Sequence, residues 1–307
     1  MTEFRLPIET WAVWRKDGEA RALSSSGGMA TAVSEAWIKN CGIVYGASFV
    51  RPFGVEHVRC STIAELAMLR GSKYVQSSLK GIFKSMAHDL KFGKKVLFIG
   101  TPCQVAGIIN RFKEYEDQLF TIDIICHGTP TVETLKESLP QSVLKKDFDN
   151  MEFRDNGDFK LSVKKENKVI WTRPLAHDLY MKGFFKAIFY RECCYKCIFA
   201  RQERVSDMTL GDFWGLDMSS VDTTMDKGIS LVLLNSEKGN TMMAMVDDDV
   251  EKVARPLEEA VAGNKQLRRS MPCTWRYYVY NTLHKRIGFK WSAILAMPDI
   301  VIKNLLK

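Results

Sequence analysis

Between Met29 and Ile125 the chain switches repeatedly between a helical and a strand-like hydrophobic pattern, and this limits its fold more than any other feature. Met29, Val33 and Trp37 are spaced four apart, the repeat of one helix face. The apolar run 43–49 is of strand length and rich in β-branched and aromatic residues. Helical patterns return around 63–69 and 79–90, and the runs 96–100 and 120–125 then read as buried strands. A chain that alternates in this way buries both faces of its strands in a layered arrangement. The expected fold class is α/β: a mixed, largely parallel sheet core with flanking helices.

The second half differs. Residues 161–165 and 168–173 flank Glu166-Asn167 and predict a small antiparallel hairpin. A helical stretch at 179–189 leads into a cysteine-rich segment, and 229–234 is a further apolar strand. Past Pro256 the pattern is helical, basic and aromatic, ending in an apolar stretch at 300–306. The expected organisation is a core domain over 1–255 and a helical C-terminal extension over 256–307, the latter a docking helix or partner surface.

With 307 residues, 46% of them hydrophobic, the chain can bury the core of one large domain or two modest ones. No basic start followed by an apolar run marks a secretory signal. No stretch approaches the roughly 18 consecutive apolar residues of a membrane span. A cytoplasmic protein without a membrane span is expected. The net charge of +8 comes from scattered Lys and Arg; such a balance suits nucleic acid, a membrane surface, or acidic redox partners and phosphate-bearing cofactors, and no motif accompanies it for nucleic acid.

Eight cysteines in a reducing compartment indicate metal or redox chemistry rather than structural disulfides. Cys194-Tyr195-Lys196-Cys197 is a C-x-x-C, whose turn directs two sulfurs to one centre. By itself the spacing fits a redox dithiol, half of a zinc site or half of a cluster site. A thioredoxin-type dithiol opens a helix after an early strand, whereas this one lies two-thirds along the chain. Cys103 directly follows the run 96–99, and Cys126 directly follows 120–125. Both stand at the C-terminal ends of expected neighbouring parallel strands, the edge where open α/β sheets bind ligands. They complete a four-sulfur site or are buried structural cysteines, and spacing leaves both open. Cys41, Cys60 and Cys273 read as small apolar residues. Cys193 adjoins Cys194, and its role as a ligand stays open.

Two loops have the composition of a nucleotide site. Ser25-Ser26-Gly27-Gly28 opens a helix, where serines cap free N–H groups and glycines admit a phosphate, or is a plain capped start. Gly71-Ser72-Lys73-Tyr74-Val75-Gln76 puts a cation, a ring and an amide within six residues. There is no G-x-G-x-x-G and no Walker A motif.

Taken in order, Ser25-Ser-Gly-Gly28, Gly42-Ile-Val-Tyr-Gly46, Gly71-Ser-Lys-Tyr-Val-Gln-Ser77, Gly100-Thr-Pro-Cys-Gln104, Cys126-His-Gly128, Cys194-Tyr-Lys-Cys197 and Leu210-Gly-Asp-Phe-Trp-Gly215 resemble the beta subunit family of coenzyme F420 hydrogenase/dehydrogenase over roughly residues 8–240. The resemblance implies FAD, one 4Fe-4S cluster and an α/β core of its own type rather than a Rossmann fold. Many bacterial members carry an N-terminal ferredoxin module before the segment matching near Leu6; the resemblance leads to the expectation of a single cluster without that module, and of a separate one-electron partner. Under this resemblance Cys103, Cys126, Cys194 and Cys197 are the cluster ligands. Ser26, Gly27, Gly28, Lys73, Tyr74, Gln76, Thr101 and Gln104 are the flavin-site residues, with Lys73 polarising flavin or substrate in a catalytic role. His127 is either a site residue or a structural histidine. Asp212 and Trp214 either close the pocket or belong to a Gly211-Asp212 turn. The implied function is oxidoreductase chemistry between a hydride-type donor or acceptor (deazaflavin F420, NAD(P)H or similar) and a one-electron carrier such as ferredoxin. The alternatives are a non-catalytic relay or assembly subunit of a larger oxidoreductase, and a zinc-bound structural protein.

Overall fold

The computed structural model describes residues 3–155, 158–225 and 228–299. Its strands are β1 (Glu9–Arg15), β2 (Ile43–Val50), β3 (Gly54–Cys60), β4 (Val96–Gly100), β5 (Leu119–Ile124), β6 (Asn150–Asp155), β7 (Asp158–Lys165), β8 (Lys168–Pro174), β9 (Met208–Asp212), β10 (Ser230–Leu234) and β11 (Val250–Ala254). Eight of them form one sheet in the order β11-β1-β10-β9-β5-β4-β2-β3. The central strands β9, β5, β4 and β2 are parallel. Strands β3, β10, β1 and β11 join antiparallel to their neighbours, which turns β1 back to the direction of the central four. The sheet is thus the mixed, largely parallel one that the alternating pattern predicts.

Burial explains why β4 and β5 read as continuous apolar runs: both faces are covered. Val44, Leu97, Phe120 and Ile122 face the helix Met29–Lys39, where Trp37 meets the Phe120 ring at 4.6 Å. Ile43, Tyr45, Val96 and Phe98 point the other way, onto the helices Ile82–Lys91 and Pro102–Arg111. The small sheet β6-β7-β8 contains the expected hairpin, and Glu166 and Asn167 both have positive φ (49° and 62°), as a type I′ turn requires.

Three expected helices change form. The stretch 63–69 is a 3-10 turn at Ala64–Leu69, and the next helix starts only at Ile82, after Gly81 with φ 96°. The helix expected over 179–189 ends at Phe185. Ala187 takes φ 51°, and the chain folds back so that the Phe189 ring sits where a Cβ on Gly183 would stand. Gly211 and Asp212 are not a turn: they end β9, paired with Leu231 and Ser230.

The helix Trp275–Ala296 breaks at Gly288 (φ 72°) and buries Tyr280, Phe289, Ala293 and Ala296 with Tyr180 and Phe189. The apolar stretch 300–306 lies outside the described residues. Among the described residues no helix is long and apolar enough to cross a membrane.

Candidate flavin and iron–sulfur site

A cavity of about 340 Å³ opens at the C-terminal ends of β4, β5 and β9, between the large sheet, the loop 24–28 and the helix Leu179–Phe185. The two loops singled out in the sequence meet here: the Ser72 amide donates to Ser25 Oγ at 2.8 Å. Gly28 caps the helix Met29–Lys39 in a left-handed conformation and supplies no side-chain acceptor. The first amides of that helix are therefore available to an anion at its positive end. Ser26, whose hydroxyl donates to the Ile229 carbonyl at 3.0 Å, lines the cavity beside it.

Lys73, Tyr74, Thr101 and Gln104 also line the wall. The Lys73 ammonium donates to the Leu69 and Arg70 carbonyls, each at 2.8 Å, closing the 3-10 turn. Burial pushes its pKa down to about 7, against a smaller opposing pull from Glu152. Tyr74 stacks on Phe184, with centroids 4.8 Å apart. Gln104 accepts from the Thr101 amide at 3.0 Å and donates to the Ser77 carbonyl at 3.0 Å, tying the helix start after β4 to the segment 71–77.

Gly27 and Gln76 stand behind the wall. A Cβ on Gly27 would lie 2.3 Å from the Val13 carbonyl oxygen, so packing between strands accounts for that glycine. Gln76 Oε1 accepts from Thr129 Oγ1 at 2.8 Å and from Arg191 Nη1 at 2.9 Å, which joins it to the cysteine-bearing segments.

The other sequence candidates converge here too. Asp212 accepts from Arg154 of β6 at 2.7 Å, and Arg154 lies over the Phe159 ring, so this pair holds the small sheet across the cavity. Trp214 stands at the rim, 41% exposed. His127 lines the wall with Nδ1 3.1 Å from Gln266 Nε2, and burial lowers its pKa.

Sequence reading missed His57, Arg154 and Gln266. His57 lies on edge strand β3, stacked on Phe98 with its Nε2 3.0 Å from the Ile99 carbonyl. Burial pushes its pKa down to about 4, which keeps it neutral. No local motif surrounds any of the three, since each reaches the site by pairing or packing of distant segments.

Of the four proposed ligand cysteines, Cys126 lines the cavity, and Cys103, Cys194 and Cys197 lie near enough to act on its thiol electrostatically. Cys126, two residues past β5, lines the cavity and accepts from the Gly128 amide at 3.4 Å. Burial pushes its thiol up to about 12, and Cys103, Cys194 and Cys197 are close enough to raise it further. Cys103, in the first turn of the helix after β4, lies 3.2 Å from Thr101 Oγ1. The Ala200 amide donates to the Cys197 carbonyl at 3.3 Å, and burial raises the Cys197 thiol while the nearby Phe199 and Ala200 amides oppose the rise. Among the described residues no three His, Cys, Asp or Glu side chains gather tightly enough for a metal ion. Cys60 is buried as expected of a small apolar residue, whereas Cys41 and Cys273 are exposed, which corrects that expectation for both. Cys193 is exposed beside Cys194.

A sequence model for the C terminus of the coenzyme F420 hydrogenase/dehydrogenase beta subunit matches residues 93–259, more than half of the chain. The protein belongs to that family, which places it among oxidoreductases. No curated protein matches the chain. Among solved structures it resembles a chain of the F420-reducing nickel–iron hydrogenase complex from Methanosarcina barkeri, a xenon derivative. The TM-score is 0.55 at 19% identity, over 85% of this chain and 91% of that one, a likeness of fold.

The Lys73 environment fixes a sign for pH dependence. The unfolded chain holds this proton up to about pH 10.4, while the folded protein gives it up from about 7. The cost of burying the ammonium is present below about pH 7 and is relieved as pH rises above it. Stability of the wild type relative to Lys73→Met should therefore improve between pH 6 and pH 9, measured by denaturant unfolding at both. A constant difference would show that the ammonium is not desolvated.

Proposed function

We propose that this protein is a cytoplasmic iron–sulfur flavoprotein oxidoreductase, with FAD in the cavity and one 4Fe-4S cluster on Cys103, Cys126, Cys194 and Cys197. It moves electrons between a hydride-type donor or acceptor, such as F420 or NAD(P)H, and a one-electron carrier such as ferredoxin. The observation that carries this reading is the double position of Cys126, which lines the cavity and lies within electrostatic reach of the three other thiols. Four thiolates are the donor set of a 4Fe-4S cluster, and a redox centre suits their place beside the cavity better than a structural zinc ion does.

Bound flavin takes up an electron pair as hydride and returns electrons singly. The protein's part is placement. The Ser26–Gly28 helix start takes the phosphates. Tyr74, Phe184 and Trp214 offer aromatic surface to a ring system. Lys73 supplies a cation beside it, already half-deprotonated near neutral pH and recharged by an anionic ligand. The Arg154–Asp212 pair keeps the small sheet closed over the site and limits water.

Titrating FAD into flavin-free protein tests the cavity assignment. One FAD per chain should bind, and FMN should bind more weakly because it lacks the adenylate half. If neither flavin binds cluster-loaded protein, the flavin assignment is wrong.

A further inference from the structure

The cysteine turn also has an outward side. Ile198, next to Cys197, is 67% exposed, and Trp275 and Tyr278 on the C-terminal helix are 52% and 62% exposed. Packing draws these positions onto one surface. The Tyr195 ring, inside the C-x-x-C, meets Tyr277 at 4.7 Å, and Tyr277 meets Tyr278 at 5.4 Å. The Ser270 hydroxyl donates to the Tyr195 carbonyl at 2.8 Å, bringing the exposed Arg268 and Arg269 to the same turn. Arg191 and Lys196 flank the cysteines and are exposed, with Glu192 as the nearby acid. Single exposed apolar residues are ordinary on a protein surface, but large aromatic side chains clustered within a basic rim have the composition of an interface.

We propose that this face, centred on Ile198, Trp275 and Tyr278, docks an acidic one-electron carrier protein. The inference rests on the reading of the four cysteines as a redox centre. The cavity lies on the Cys126 side of that centre and this face on the Cys194–Cys197 side, so a carrier seated here exchanges electrons without entering the hydride site. The basic rim selects an acidic partner and speeds its encounter. A compact apolar centre with charged surroundings suits the small, short-lived contacts of redox partners.

The test uses the cluster- and flavin-loaded protein and an acidic plant-type ferredoxin. Affinity is measured by titration, and electron transfer from photoreduced ferredoxin by stopped flow. Arg268→Glu/Arg269→Glu should weaken affinity and slow transfer by about tenfold at low salt, with the difference collapsing near about 0.5 M salt as screening shortens. Trp275→Ser should weaken affinity at every salt concentration, and Lys145→Glu/Lys146→Glu, elsewhere on the surface, should behave as wild type. Unchanged affinity in the first two variants, or equal loss in the control, overturns the proposal. So does a dimer that Trp275→Ser splits without changing ferredoxin affinity, which assigns the face to a second copy. Iron and flavin contents of the same samples separate the two readings. Wild-type protein without iron defeats the redox-centre assignment, whereas iron-loaded variants with unchanged ferredoxin affinity defeat only the docking face.

Discussion

Arg204→Met should lower the stability of the protein by about 3–5 kcal/mol, the cost of leaving one partner of a buried ion pair alone. The Arg204 guanidinium donates to Asp123 Oδ1 at 2.9 Å, and their side chains are 2% and 0% exposed. It also donates to Thr209 Oγ1 and to the Phe199 and Arg201 carbonyls. Asp123 lies on β5 three residues before Cys126, while Phe199 and Arg201 follow Cys197. One side chain thus braces two cysteine-bearing segments against each other. Removing it strands the Asp123 carboxylate in the sheet and releases the loop that follows Cys197. The double variant Asp123→Leu/Arg204→Met should recover much of the loss, because no lone charge remains. Guanidinium unfolding under reducing conditions checks both. A loss below about 1 kcal/mol in the single variant would mean that water or another cation reaches Asp123.

Replacing any one of Cys103, Cys126, Cys194 or Cys197 by Ala should reduce bound iron from about four per chain to less than about one, since a 4Fe-4S cluster needs its four thiolates. Cys41→Ala and Cys273→Ala should retain full iron, as both thiols are exposed and lie outside the set within electrostatic reach of Cys126. Cys60→Ala removes a buried side chain and should cost stability while leaving iron in place. Iron is read by colorimetric assay and the near-blue absorbance on anaerobically reconstituted protein. Equal loss in all eight variants would mean general unfolding and would defeat the ligand assignment. Cys193→Ala decides the remaining question: full iron shows that Cys194 alone serves from that pair.

The legible parts of the fold were those where local sequence and tertiary burial agree. Strands β4 and β5 are apolar on both faces because helices cover both, so their continuous runs stand out and their parallel pairing follows from the connecting helix. The hairpin β7–β8 announces itself through Glu166-Asn167. Strands β1, β9 and β11 escaped because their partners lie in distant segments, parallel β5 and antiparallel β10 in the case of β9, which no short window contains. Gly211 in β9 looked like turn chemistry, yet it is a strand glycine whose Cβ would lie 2.7 Å from the Ile125 side chain. The four candidate cysteines stood out in the sequence because two follow strands and two form a C-x-x-C. His57, Arg154 and Gln266 did not, since each acts through one long-range bond or stack and carries no neighbouring signal. Gly27 carries a packing reason that its glycine pair does not announce: a Cβ there would lie 2.3 Å from the Val13 carbonyl oxygen and 2.6 Å from the Ser230 amide, where β1 and β10 approach.

The most direct test of the iron–sulfur flavoprotein reading is the cofactor content and spectrum of protein purified without oxygen. About four iron, four sulfide and one FAD per chain are expected, with the flavin released unmodified on denaturation. One-electron reduction should give a cluster signal that Cys126→Ala abolishes. Colourless protein carrying one zinc and no iron, or protein that holds iron but takes up no flavin at saturating FAD, would contradict it.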